Sequence, residues 1–260
     1  RFGGSLLTSD VNIGNQSGED WANSIIAELK EMSNVVVKNR SQVFGYYDHN
    51  MTVMFERTGD HLEKKSKYTP RQRLWYIRAK EVLLSTGSIE RPIVFGNNDT
   101  PGVFLSAAAK EYMKVYGVLI GKKPIIFTNN DSAYETAISL IKKGITVEAI
   151  VDNREEVDSK LLYEVEKNNV KIFKGYTVTN TFGYKRINKI SIMQISNDGQ
   201  NVLGSKINLA CDCLGVSGGW TPAVHLFTQS GGKLKFRNED QTFIPNIYPS
   251  DQLSIGACNG

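Results

Sequence analysis

The stretch that most limits the fold is 124–152. Pro124-Ile125-Ile126-Phe127 is a short apolar run and Thr128-Asn129-Asn130-Asp131 a turn. Residues 132–143 have helical character, Gly144 breaks it, and 145–151 is again apolar, closing on Asp152. Strand, tight turn, helix and strand within ~30 residues build a parallel sheet, because parallel neighbours need a crossover rather than a hairpin. An acid closing the second strand stands where such units hold a ribose. The turn lacks Gly-x-Gly-x-x-Gly, so Cβ atoms obstruct a pyrophosphate, and Asp131 beside the helix start repels it. This unit is expected to keep the fold without a nucleotide.

The flanking pattern continues the α/β reading. A helix at 105–115, the 124–152 unit, a helix at 155–168 and a strand at 170–173 are followed by alternating strands at 176–182, 187–196 and 202–209. Asn197-Asp198-Gly199 is a hairpin turn signal. Nearer the start, Trp21, Ile25, Ile26, Leu29 and Met32 recur at helical spacing over 20–32. Val35-Val36-Val37 reads as a short strand, 40–48 as a loop, and 52–57 and 74–79 as strands of a meander. The Lys- and Arg-rich run 60–73 reads as a solvated loop in preference to a phosphate or nucleic-acid patch. A strand at 80–84 stops at Ser85-Thr86-Gly87, placing backbone N–H groups and a hydroxyl at a sheet's carboxyl edge, where open α/β sheets bind ligands. Gly87 lets the backbone approach a ligand without a Cβ in the way.

Composition narrows the class. With 260 residues, 40% hydrophobic and 22% charged, the chain suits one large or two ordinary globular domains. A net charge of +4 spread along the chain speaks against a nucleic-acid surface. No apolar run reaches the ~20 residues that span a bilayer. Cys211, Cys213 and Cys258 form neither a disulfide framework nor Cys-x-x-Cys, and with His49, His61 and His225 give no metal-ligand spacing. They read as small buried side chains, in keeping with a reducing cytoplasm. His225 has no paired carboxylate or nucleophile and is not read as catalytic.

Two longer runs carry a resemblance. Thr86-Gly87 followed by Glu90-Arg91-Pro92 and Asn98-Asp99-x-Pro101-Gly102 resembles the two-dinucleotide-binding-domain flavoprotein superfamily. Within it, the alpha subunits of heterotetrameric sarcosine oxidase are most similar. Ser217-Gly218-Gly219-Trp220-Thr221-Pro222, with His225-Leu226 and Gln229-x-Gly231-Gly232, is similar to the same family. Trp220 could stack on a ring or cap a domain interface, and the interface is favoured.

The resemblance implies an α/β fold: an FAD/NAD(P)-binding Rossmann-like domain in two segments, 1–104 and 212–260, with a second Rossmann-like domain inserted at 105–211. It implies a fragment lacking both the N-terminal Gly-x-Gly-x-x-Gly unit and a C-terminal folate-binding domain. It places Gly3 and Gly4 in a turn against the cofactor, Ser41 and Val43 at the adenine, and Thr86, Gly87, Gly256, Ala257 and Asn259 along the dinucleotide. In flavin relatives an acid usually occupies the position of Ala257, so NAD rather than FAD is expected on this chain. FAD and FMN are expected elsewhere in the complex, and tetrahydrofolate in the C-terminal domain. The implied partners are beta, gamma and delta subunits, with sarcosine as substrate, no nucleic acid and no membrane. The implied reaction yields glycine and hydrogen peroxide, with the one-carbon unit passing to tetrahydrofolate. No catalytic acid, base or nucleophile is expected here. The alternatives are a related dehydrogenase acting on proline, hydroxyproline or an opine, a cyanide-forming glycine dehydrogenase, or a non-catalytic docking scaffold with a structural nucleotide.

Overall fold

The computed structural model describes residues 2–260, and the chain divides into two units, Arg1–Ile89 with Thr221–Gly260, and Glu90–Trp220. The boundaries expected at 104/105 and 211/212 thus fall about one element further out on each side. The reason is that Val103–Leu105 and Cys213–Ser217 are both strands of the second unit's parallel sheet.

That sheet has five strands in the order Lys171–Lys174, Ala149–Asp152, Pro124–Thr128, Cys213–Ser217, Val103–Leu105. The three central strands are buried at every position. They therefore read as continuous apolar runs, as parallel strands covered on both faces do. Period-2 alternation sends Ile125 and Phe127 to one face, against Val178, Ile190 and Ile192 of an antiparallel sheet formed by Tyr176–Gly183, Ile187–Ile195 and Val202–Ala210. It sends Ile126 to the other face, against Ala137, Leu140, Leu162 and Val165 of the Ser132–Lys142 and Lys160–Glu166 helices. Each such large side chain stabilises the unit by ~1.5–3 kcal/mol. The helix Ser106–Tyr116 ends at Gly117, whose left-handed φ of 66° lets its N–H reach the Met113 carbonyl at 3.2 Å. The helix expected over 155–168 is confined to Lys160–Glu166, because Ser159 is extended and starts it late.

The first unit begins with the helix Gly18–Glu31, capped by Ser17, whose hydroxyl accepts the Asp20 N–H at 3.1 Å. Val35-Val36-Val37 forms no strand, contrary to its β-branched composition. Among the described residues it pairs with no strand, and Val36 is 80% exposed. The segment expected as a loop is instead the strand Ser41–Tyr47, which pairs antiparallel with Met51–Arg57, and that in turn with Gln72–Arg78. The turn between the first two is made by His49 and Asn50, both left-handed with φ of 58° and 52°.

Two further ladders complete the unit. Lys233–Arg237 and Thr242–Ile247 form a hairpin, and Val82–Leu84 pairs in parallel with Gln252–Ser254. Tyr46, Leu84 and Phe227 are its buried centre, with Tyr248 edge-on to Phe227 at 5.1 Å between ring centroids. Among the described residues no helix is long and apolar enough to cross a membrane.

Candidate dinucleotide site

In the first unit the parallel register pairs Val82 with Gln252, Leu83 with Leu253 and Leu84 with Ser254. Both strands therefore end at the same edge, one running into Ser85-Thr86-Gly87 and the other into Ile255-Gly256-Ala257. Two sequence-predicted pairs, 170 residues apart, are neighbours through that one ladder. The Ile255 N–H donates to the Leu84 carbonyl at 2.9 Å and extends it by a rung. Gly87 and Gly256 have φ of 73° and 69°, and a Cβ at either would meet nothing within 4 Å. The backbone here is exposed to whatever approaches, which suits a long polar ligand lying along the edge. The Thr86 hydroxyl donates to the Ala223 carbonyl at 2.7 Å, so its proton holds the loop. The Asn259 side-chain oxygen accepts from the Tyr248 hydroxyl.

Two cavities adjoin this framework and share Gln42. One, of about 340 Å³, brings Val43 together with Thr86, His225 and Gln229. Gln229 is fixed there by accepting the Tyr46 N–H at 3.0 Å. The other, of about 480 Å³, contains Ser41 with Lys38, Arg40, Arg57 and His61, and is walled by Phe2 and Phe55. Its one carboxylate, Asp60, is held below the usual range, foremost by the hydrogen bond from Arg71 at 2.7 Å. Gly3 lies beside Phe2. Its φ is 111°, and a Cβ would come within 2.9 Å of Leu7 and 3.3 Å of Ala22, so only glycine lets this turn sit on the helix. Gly4 opens the following 3-10 turn with φ of 50° and open space beside it. Gly256, Ala257 and Asn259 line neither of these two cavities.

The cationic set of the larger cavity was not among the sequence-predicted residues. Part of it, His61, lies in the run read as a solvated loop. The available signal was alternation on both sides of 48–50, which marks a hairpin and brings Arg40 and Arg57 to the same end of it.

The equivalent edge of the second unit is differently filled. Thr128 and Ser217 end adjacent strands at the point where strand order reverses. The Asn130 side-chain amide donates to the Ser217 carbonyl at 3.1 Å and the Ser217 hydroxyl at 3.0 Å. Its oxygen accepts the Ser132 N–H at 3.1 Å and the Ser132 hydroxyl at 2.6 Å. Trp220 donates its indole N–H to Ser132 at 2.9 Å. Asp131, expected beside the helix start to repel a pyrophosphate, makes no capping hydrogen bond and pairs with Arg154 at 2.7 Å.

Asp152, fully buried, receives four donors: the Tyr134 hydroxyl at 2.9 Å, and from Arg154 the backbone N–H at 2.9 Å, Nε at 3.1 Å and Nη2 at 2.8 Å. Those fill the lone pairs that a ribose would use. Burial and then the Asp152 charge push the Tyr134 hydroxyl far up, so it stays a donor. Cys211 and Cys213, at the start of the Cys213–Ser217 strand, are pushed up to about 12, first by burial and then by the charge of Asp212.

No protein-family model matches the chain. The sarcosine oxidase alpha subunit of Rhizobium meliloti (strain 1021) is 36% identical over 256 residues, covering 98% of this chain and 25% of that protein. The corresponding subunit of Corynebacterium sp. (strain P-1) is 34% identical over 262 residues, covering 99% of this chain and 27% of that protein. Among solved structures, L-proline dehydrogenase from P. horikoshii matches 99% of the chain and 44% of its own with a TM-score of 0.68 at 21% identity. Thioredoxin reductase from T. acidophilum matches 99% and 79% with a TM-score of 0.67 at 13% identity. At those identities the solved structures establish the fold alone, a Rossmann-like α/β architecture. The chain is a relative of the sarcosine oxidase alpha subunits over nearly its whole length, and it spans about a quarter of theirs.

Proposed function

We propose that the chain is the dinucleotide-binding part of a sarcosine oxidase alpha subunit. The observation that carries this reading is the match to two such subunits over 98–99% of the chain. In the proposed complex, two electrons leave the N-methyl group of sarcosine and reach oxygen as hydrogen peroxide. Glycine is released, and the one-carbon unit passes to tetrahydrofolate in a C-terminal domain of the longer polypeptide. FAD and FMN belong to the beta subunit and the alpha–beta interface. The gamma and delta subunits complete the assembly, and its place is the cytoplasm.

This chain's own part is to hold NAD. The open glycine backbone at Gly87 and Gly256, together with the cationic cavity beside Ser41, fits the polar length and charge of a dinucleotide. Gly3, Gly4, Val43, Thr86, Ala257 and Asn259 complete the proposed lining. Ala257 offers no acid for a ribityl chain, which favours NAD over FAD. The second unit, its strand-end groups already consumed, holds no dinucleotide. None of these residues acts as acid, base or nucleophile in the proposal.

The test is made on the full-length protein purified with its partner subunits. Cofactors released on denaturation are identified by mass, and peroxide formation is followed with sarcosine. NAD with flavins and sarcosine turnover is the expected result. FAD on this chain, or turnover of proline without sarcosine, points to the imino-acid dehydrogenase reading. A bound nucleotide with no amine oxidation at all points to a docking scaffold.

A further inference from the structure

We infer that the open edge of the strand Gln72–Arg78 takes an extended, acidic segment of another polypeptide, paired to it as a fourth strand of the meander. The inference rests on the proposed place of this chain in a multi-subunit complex. The sheet runs in the order Ser41–Tyr47, Met51–Arg57, Gln72–Arg78, so each outer strand has one side without a neighbouring strand. The chain itself closes the outer side of Ser41–Tyr47: Gln229, ending the helix His225–Gln229, accepts the Tyr46 N–H at 3.0 Å. No such contact meets the outer backbone of Gln72–Arg78 among the described residues.

The register decides which backbone groups are left over. The Thr58 N–H donates to the Arg71 carbonyl at 3.1 Å and the Ala79 N–H to the Asn50 carbonyl at 3.2 Å. Direction alternates between those two bonds, so Arg73, Trp75 and Ile77 bond inward. Gln72, Leu74, Tyr76 and Arg78 therefore turn their N–H and C=O groups outward. This ladder has no bulge and the strand no proline, so the outward groups form an unbroken template for another strand. Leu74 and Tyr76, 49% and 70% exposed on one face, would pack against alternate side chains of that strand.

Charge selects the partner. Residues 64–80 hold seven lysines and arginines and no acid, whereas the whole chain carries only +4. Lys64, Lys67, Arg78 and Lys80 are exposed, with no carboxylate at ion-pair distance among the described residues. Two copies of this edge would repel each other, while aspartates and glutamates on an added strand would be drawn to it. A nucleic acid would answer the charge but not a row of backbone donors and acceptors at strand spacing, which is what strand addition reads.

The experiment uses the full-length protein purified with its partner subunits, with amide hydrogen exchange read residue by residue. The outward amides of Leu74, Tyr76 and Arg78 should exchange as slowly as the inward ones of Arg73, Trp75 and Ile77. On a free edge they would exchange about tenfold or more faster. Carbodiimide, which joins an amine directly to a carboxylate, should link Lys67 or Lys80 to an acidic segment of another subunit. Arg78→Glu with Lys80→Glu, both at exposed side chains, should speed the outward amides about tenfold and leave the inward ones protected. Outward amides that exchange freely in a complex that still oxidises sarcosine overturn the inference and leave the sarcosine oxidase reading standing. So do protection that survives the charge reversal, links confined to this polypeptide or its copies, and protection lost on nuclease treatment. A protein that purifies without partners and oxidises no amine overturns both.

Discussion

The carboxyl edges of the two units' parallel strands present the same chain geometry with opposite chemistry. In the first unit the strands stop at Thr86-Gly87 and Gly256-Ala257, and glycines without neighbours leave backbone open. In the second they stop at Thr128, Asp152 and Ser217, each fully buried: the Thr128 hydroxyl is bonded to the Asn130 backbone, Ser217 to the Asn130 side chain and Asp152 to the Arg154 side chain. A parallel sheet creates strand-end polar groups in any case. A ligand is one way to satisfy them, and Asn130 with Arg154 is another. A fold can therefore retain a nucleotide-binding architecture after its site has been filled from within.

The contrast is most sharply broken at Arg154. Arg154→Ala leaves the buried Asp152 carboxylate with the Tyr134 hydroxyl and one backbone N–H, and should destabilise the second unit by ~3–5 kcal/mol, read as a drop in urea midpoint. An effect under ~1 kcal/mol would mean that water replaces the guanidinium and that the edge is not closed. Asn130→Ala removes the bonds to Ser217 and the Ser132 N–H, and should cost ~1–2 kcal/mol in the same measurement.

On the open side, Gly256→Ala meets no atom within 4 Å and should cost only the ~1–2 kcal/mol of a left-handed alanine. A larger loss would show that this edge is more crowded than the geometry indicates.

The smallest effect is one of pH. Burial pushes the Glu90 carboxyl up in the second unit, against the stabilising N–H of Ala107 at 2.8 Å. The folded form then binds its proton more tightly than the unfolded form. Stability contributed by that proton is present below the unfolded pKa and lost as pH rises through the folded one. Glu90→Gln should accordingly flatten the fall in stability on the alkaline side of the unfolded carboxyl range, and an unchanged slope would remove Glu90 as its source.

A test without substitution separates the layers beneath. With thiol pKa values of about 12, Cys211 and Cys213 should resist iodoacetamide in the native protein at mildly alkaline pH and react on unfolding.

The amino-acid sequence was enough for the parallel-sheet unit at 124–152, for the meander strands at 52–57 and 74–79, and for the strand end at Thr86-Gly87. In each case the signal is local: a run of apolar residues closed by a turn or glycine commits its own backbone. The tertiary structure decided what depended on a distant partner. Val35-Val36-Val37 has strand composition but no neighbouring ladder, whereas 41–47 became a strand because 51–57 folds back on it. Gly87 and Gly256 became neighbours only through the register of Val82–Leu84 with Gln252–Ser254. The saturation of Asp152 depended on Arg154 turning back and on Tyr134 reaching across from the preceding helix. Lone pairs are counted in space, and their occupants are set by packing rather than by order along the chain.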